Sequence, residues 1–130
     1  MKESELNNLN TATLAYMGDA VYEQAVRQRL IEKGGVRVDR LQKTAAKRYV
    51  SASAQAKIMQ VMFEELEEKD RTKVGRWKNY KPRSMPKNAD LKSYRWATAF
   101  EAYLGYLYLM GDGSRLEWAL RRAFEIAEEE

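Results

Sequence analysis

Apolar residues recur along the chain in blocks with helical spacing, separated by short polar or glycine-bearing breaks. Leu14, Met17, Val21 and Ala25 share one face at i, i+3, i+4 spacing and predict a helix from about Thr11 to Glu32. The run "KGG", Lys33 to Gly35, supplies its C-terminal stop. A short helix is expected after Asp39, which suits an N-cap, through "RLQKTAAKRYV". Ser51 or Ser53 then caps one long helix through "QAKIMQVMFEELEEKDRTK", with Ile58, Met59, Met62, Phe63 and Leu66 as its apolar stripe. From Gly75 to Asn88 the period dissolves in "GRWKNYKPRSMPKN", which holds both prolines of the chain and reads as a loop. A helix from about Asp90 to Met110 follows. A turn and a capping box, Ser114 with Glu117, then open the last helix. The acidic end, Glu128 to Glu130, reads as a solvated frayed tail.

These elements describe an all-α protein. Its 130 residues suit a single domain with a proper core, and no internal repeat or low-complexity segment interrupts it. The N-terminal "MKESELNNLN" lacks the apolar stretch of a secretory signal, and no apolar run is long enough to span a bilayer. The expected setting is the cytoplasm, without a membrane partner. The formal net charge of +4 fits a polyanion-binding protein but does not single one out.

The residues that are missing narrow the chemistry further. The chain has no cysteine and no histidine. Disulfides, thiolate metal sites and serine–histidine or cysteine–histidine catalysis are therefore excluded. A catalytic metal would need oxygen ligands, which favours magnesium or manganese over zinc.

Against that background, "LAYMGDAVYE" places Asp19 on a helix that is apolar around much of its circumference, with Ala12, Ala15, Tyr16 and Val26 on the acid's own side. Glu23 lies one turn on. Glu101 occupies a similar position in "ATAFEAYLGYLYL", flanked by Ala97, Thr98, Leu104 and Gly105, whose small members would admit a second helix closely. Two such acids on facing helices would repel unless a cation lay between them or one took up a proton. Magnesium suits this arrangement, because it takes one or two protein carboxylates and completes its shell with waters and phosphate oxygens. Periodicity alone favours the other partner, a guanidinium such as that of Arg27 or Arg95, since a buried acid in a helical protein is more often paired with Arg or Lys than with a metal.

The stretch from Gly75 to Asn88 carries Arg76, Lys78, Lys81, Arg83 and Lys87 with no acid, interleaved with Trp77 and Tyr80. That composition suits a phosphate backbone, with cations releasing counterions and aromatics packing on sugar or bases. A merely solvated loop is the plainer alternative. Lys43, Lys47, Arg48 and Lys57 could extend the patch, with ordinary surface as the plainer reading.

The acidic helices resemble those of the ribonuclease III family. "YMGDAVYE" is similar to its "EFLGDAVLE" helix, "ATAFEAYLGYLYL" to its "ADVFEALLGA" helix, and "RLQKTAAKRYVSASAQAKI" to its "L…R…LVS…LA" stretch. The resemblance is closer to Mini-ribonuclease III, the short bacterial form. "LAYMGDA", "PKNADLKSYR" and "TAFEAYLGYL" stand beside its "LAYIGDA", "PKN-x-D-x-x-x-YR" and "TAFEALLGYL". It runs from about Leu9 to Met110. Each block alone is weak, whereas the blocks in this order and spacing are specific. Ala12 and Ala15 replace two glutamates of ordinary ribonuclease III, and Thr98 replaces an aspartate, as in the short form. These changes put a full two-metal site in doubt. Tyr103 stands where the family has leucine, with no account from sequence.

The resemblance implies a ribonuclease III catalytic-domain helical bundle over residues 1–130, without a separate double-stranded-RNA-binding domain. It implies magnesium-dependent (manganese as the alternative) endonucleolytic hydrolysis of double-stranded RNA, leaving 5′-phosphate and 3′-hydroxyl ends. Asp19 and Glu101 would be the catalytic and metal-binding residues, with Glu23 acting on the metal's water shell. It further implies maturation of the 23S ribosomal RNA precursor, with a large-subunit ribosomal protein as a candidate partner. It also implies a homodimer in which Tyr16 aligns with the interface aromatic; plain core packing is the other role open to Tyr16. The rival readings are a non-catalytic RNA-binding or ribosome-assembly module on the same fold, and a helical protein–protein adaptor.

Overall fold

A computed structural model describes residues 1–82, 84–85 and 90–129, and among them the regular elements are helical. Helix α1 is Glu3–Leu6 and α2 is Thr11–Glu32. Asn10 caps α2, its side chain accepting from the Thr13 N–H at 2.8 Å. Gly34, at φ 99°, turns the chain out of it. Helix α3, Val38–Thr44, runs directly into a π-helical segment, Ala45–Val50. The wider turn of that segment is closed by the Ser51 N–H donating to the Ala46 carbonyl at 3.0 Å. Asp39 lies in the first turn of α3 rather than capping it, a place the helix dipole favours equally well.

The single long helix expected from Ser51 is two helices. Helix α4, Ala52–Phe63, is capped by Ser51 as anticipated, and α5 is Glu68–Lys78. The chain bends between them because Leu66 drops into the core while Glu67 adopts extended backbone geometry ahead of α5. Arg71 Nε holds the bend by donating to the Leu66 carbonyl at 2.8 Å, and Arg122 clasps Glu65 at 2.7 Å. Helix α5 also takes in Gly75 to Lys78, where a loop was expected.

Helix α6, Leu91–Met110, is the central element, in contact with α1, α2, α4, α5 and α7. Every residue from Ala97 to Leu107 is buried except Glu101, which is half-buried. Only a helix packed on all sides can be apolar around its whole circumference. Gly111, at φ 77°, ends it. Helix α7, Gly113–Glu128, is capped by Asp112, which accepts from the Arg115 N–H at 3.2 Å. The expected Ser114 cap is displaced by one that starts the helix earlier. Asp70 of α5 is buried against Arg115, tying the two helices together.

Glu128 is not part of a frayed tail, whereas Glu129 is exposed beyond the helix and Glu130 lies outside the described residues. Glu128 accepts both from Arg29 Nη2 at 2.6 Å and Nε at 2.9 Å, from Lys33 at 3.1 Å, and from the Tyr49 hydroxyl at 2.7 Å. These donors hold its carboxyl at about 2, well below the usual range, with the Arg29 hydrogen bonds the largest cause. The end of α7 is thereby fastened to α2 and to the π-helical segment. Among the described residues, no helix is long and apolar enough to cross a membrane.

Candidate metal centre and nucleic-acid interface

Two glycines set the geometry of the site. Helix α2 buries Leu14, Ala15, Gly18, Tyr22, Val26 and Leu30 against the rest of the bundle. A Cβ at Gly18 would collide with the backbone carbonyl of Glu101, and one at Gly105 would collide with the carbonyl of Leu14. The backbones of α2 and α6 therefore touch at this crossing. Asp19 follows Gly18 directly, and Glu101 lies one turn before Gly105. The close approach brings the two acids together.

The Glu101 carboxyl is half-buried and faces the Asp19 carboxyl within hydrogen-bonding reach. Burial pushes Glu101 up to about 8, and the Asp19 carboxylate adds to the rise. The neighbouring Gln55 side-chain amide opposes it in smaller measure. Asp19 itself is solvent-exposed, so the pair opens to the surface rather than into the core. Here the sequence reading of a buried Asp19 side is corrected. Ala12 and Tyr16, on that side, are exposed as well.

The guanidinium alternative does not describe this site. Among the described residues, neither acid takes part in an ion pair. Arg27 pairs with Glu23 along α2 at 3.4 Å, and among the described residues Arg95 has no carboxylate partner. Two facing carboxylates without a cation are an unfavourable arrangement, and their all-oxygen chemistry fits a hard divalent ion. No cluster of three or more candidate ligands exists among the described residues. Thr98, buried on the Glu101 side of α6, cannot serve as a third carboxylate.

The basic stretch divides. Arg76 and Lys81 are exposed, Lys78 is half-buried at the end of α5, and Arg83 and Lys87 lie outside the described residues. Trp77 is not an interleaved surface aromatic: it is 2% exposed and packs on Tyr106 and Tyr103, with ring centroids 5.4 and 6.5 Å away. This packing accounts for Tyr103, which fills the core opposite Trp77. Lys78 Nζ sits 4.8 Å over the Trp96 ring. Lys78, Asn79, Lys92 and Arg95 line an open notch of about 420 Å³ with Leu91 and Trp96. Arg95 Nε is buried there without a hydrogen-bond partner. Lys92 and Arg95 were not placed with the basic stretch from sequence, because they lie one turn apart on α6, beyond the prolines. A second open groove, about 660 Å³, gathers Lys47, Arg48 and Lys57, which had read as scattered surface. Within it, Arg48 donates to the carbonyls of Ala127 and Glu128.

Tyr16 is 82% exposed, so core packing is not its role in the isolated chain. It stands on the solvent side of α2, one turn before the exposed Ala20 and beside Ala12.

Comparison with known proteins shows what the chain is similar to. A family description, the Ribonuclease III domain, matches residues 12–112. The chain is 46% identical to Mini-ribonuclease 3 of Brevibacillus brevis, covering 100% of this chain and 99% of that protein. It is 47% identical to Mini-ribonuclease 3 of Symbiobacterium thermophilum, over 89% of this chain and 88% of that one. Its fold is similar to the crystal structure of a protein from Fusobacterium nucleatum, with a TM-score of 0.79, 25% identity, and coverage of 91% and 93% of the two chains.

Proposed function

The chain belongs to the ribonuclease III family as an endoribonuclease of the Mini-ribonuclease 3 kind, and from that premise we propose that Asp19 and Glu101 hold the divalent ion with which it cleaves double-stranded RNA. The observation that carries this reading is the meeting of two carboxylates, neither ion-paired, at the crossing of α2 and α6. Magnesium is the proposed ion, with manganese able to replace it. When bound, such an ion supplies Lewis acidity toward a phosphodiester oxygen and lowers the pKa of water. The chain's own part is positional. The backbone contact at Gly18 and Gly105 fixes the spacing of the acids, burial holds the Glu101 side chain, and the exposure of Asp19 leaves room for a phosphate to approach. Glu23, held by Arg27, lies one turn from Asp19 and is proposed to order nearby water. Hydrolysis leaves 5′-phosphate and 3′-hydroxyl ends.

The proposed grip on RNA is electrostatic. Arg76, Lys78 and Lys81 would meet the phosphate backbone, joined by Lys92 and Arg95 at the notch beside α5. Arg83 and Lys87 are proposed to extend the same set, though they lie outside the described residues. Exposed Tyr16 is proposed as the contact between two copies in a homodimer with one site per strand. The proposed cellular substrate is the 23S ribosomal RNA precursor in the cytoplasm, with a large-subunit ribosomal protein as an accessory partner.

The test is cleavage of duplex RNA by the Asp19→Asn protein, with magnesium and with EDTA. The wild-type protein should cut only with metal, and the variant should lose at least about a hundredfold in rate while keeping its fold. Cleavage by Asp19→Asn at the wild-type rate would remove Asp19 from the reaction. A protein that binds duplex RNA but never cuts it would favour the non-catalytic module.

A further inference from the structure

We infer that the open groove between the π-helical segment and α4 is a second phosphate-contact surface, where Lys47, Arg48 and Lys57 take the backbone of duplex RNA beside the step that is cut. The inference rests on the proposed cleavage of double-stranded RNA at Asp19 and Glu101. It adds a surface separate from the cations of α5 and α6.

The charge of this surface is one-sided. Between Lys33 and Phe63 the only acid is Asp39, and Arg37 pairs with it at 3.3 Å. Lys47 and Lys57 are exposed, line the groove of about 660 Å³, and enter no ion pair among the described residues. Arg48 is held by neutral acceptors, its Nε donating to the Ala127 carbonyl at 3.4 Å and its Nη2 to the Glu128 carbonyl at 3.1 Å. These bonds orient the guanidinium and leave its charge uncancelled. The Glu128 carboxylate is engaged elsewhere, by Arg29, Lys33 and Tyr49. Cations gathered on one concave surface repel one another, and a polyanion relieves that repulsion.

The groove also lies within reach of a duplex at the acid pair. The hydroxyl of Tyr22, three residues after Asp19, donates to the Tyr49 carbonyl at 3.0 Å, so the π-helical segment rests against α2 beside the acids. Tyr49 is 1% exposed, whereas Lys47, two residues earlier, faces solvent on the segment's other side. The groove therefore begins about one helix diameter, roughly 10 Å, from the acids. A duplex seated with its scissile step on Asp19 and Glu101 runs on past that distance, so the groove meets its flank. The lining suits phosphates better than a protein partner. Thr44 and Ser53 add hydroxyls, and the large aliphatic in the wall, Ile58, is 1% exposed. A protein partner would need an aromatic or large apolar anchor there, whereas a phosphate backbone needs cations and hydroxyl donors.

The experiments use the full chain. Binding of a duplex RNA is followed by fluorescence anisotropy in EDTA over a salt series, for wild type, the double variant Lys47→Ala/Lys57→Ala and the double variant Lys47→Arg/Lys57→Arg. The alanine pair should lower the slope of log K against log salt by about 2, one phosphate contact per lysine, and the arginine pair should keep the wild-type slope. In cleavage with Mg2+, the alanine pair should raise KM and leave kcat within about twofold of wild type, because a flank contact is made equally before and during the reaction. A folded alanine pair with the slope and KM of wild type overturns the inference and leaves the groove to an acidic protein segment. The chain has no cysteine, so Ser53→Cys in the groove and Asn79→Cys in the notch beside α5 each supply a unique thiol for a tethered iron–EDTA probe. Without Mg2+, the probe at position 53 should break the duplex at nucleotides displaced from the enzyme's own cut. Breaks from position 79 alone overturn the inference and keep the RNA reading. Breaks from neither position, or a wild-type protein that binds no duplex RNA, overturn that reading and the inference with it.

Discussion

Substituting Gly18 by alanine tests whether one helix crossing sets the spacing of the acid pair. In an ordinary helix interior, glycine to alanine stabilises by about 1 kcal/mol. Gly75, in α5, is such a position, since nothing lies within 4 Å of where its Cβ would be. Gly18 is the opposite case, because its new methyl would overlap the carbonyl of Glu101, a backbone atom that cannot rotate aside. Overpacking typically costs about 1–3 kcal/mol, and this site lies at the upper end because both sides of the clash are main chain. Subtracting the propensity gain leaves a net loss of about 2 kcal/mol, or a fall in Tm of roughly 5–10 °C. The functional cost is larger. Relief of the clash requires α2 and α6 to part by on the order of 1 Å, which carries Asp19 away from Glu101, and a misplacement of that size costs about a hundredfold in rate. Thermal unfolding and single-turnover cleavage of duplex RNA are compared for Gly18→Ala, Gly75→Ala and wild type at one protein concentration. Gly75→Ala should be slightly more stable and fully active. If Gly18→Ala matches it in both measurements, the two acids are not held by the helix contact and the site's geometry has another origin.

Other expectations can be checked independently. Replacing Arg76, Lys78 and Lys81 by alanine should weaken duplex RNA binding and lower the slope of log K against log salt by about 2–3, as for the loss of that many phosphate contacts; an unchanged slope would make them bystanders. Tyr16→Glu should raise the dimer dissociation constant at least about tenfold, read by sedimentation, with the monomer's helicity intact. Glu128 falls from an ordinary 4.5 to about 2 on folding, so its contribution to stability is complete above pH 4.5 and is lost as pH drops through 2. Because Arg29 and Lys33 are 39% and 46% exposed, that contribution is about 1–2 kcal/mol after screening. Urea unfolding should show Glu128→Gln less stable by this amount at pH 7 and equal to wild type near pH 2; a gap that persists at low pH would mean that charge is not its cause.

Long, strongly periodic helices were legible in the sequence, and their ends were not. α2 and α6 fall almost where their apolar spacing places them, because a helix of 20 residues or more repeats its pattern often enough to identify itself. The boundary between α4 and α5 was hidden by helix formers. "EELEEKD" has no glycine or proline, and the chain breaks there because Leu66 reaches the core and Arg122 and Arg71 hold the bend, which are tertiary effects. Trp77 was misplaced for a related reason. Its neighbours Arg76, Lys78 and Lys81 suggest solvent, but in a helix residues one apart point about 100° from each other, so a tryptophan can be buried between exposed cations. Glu128 looked like part of a run of like charges at a chain end, and only the fold supplies Arg29, Lys33 and Tyr49 to it.

The acid pair was legible for a different reason. A carboxylate beside a small residue, on each of two helices apolar all round, is a local conflict that side-chain partners or a ligand must resolve. The sequence could pose that conflict at Asp19 and Glu101 but could not choose between an arginine and an ion, since Arg27 and Arg95 stood equally near in the chain. The fold brings neither guanidinium to the pair. Arg27 is occupied with Glu23, and among the described residues neither Arg27 nor Arg95 pairs with Asp19 or Glu101. Without an ion the pair relieves its repulsion by Glu101 taking up a proton, its carboxyl raised to about 8, and a divalent ion would take that proton's place, which is the physical basis for proposing one there.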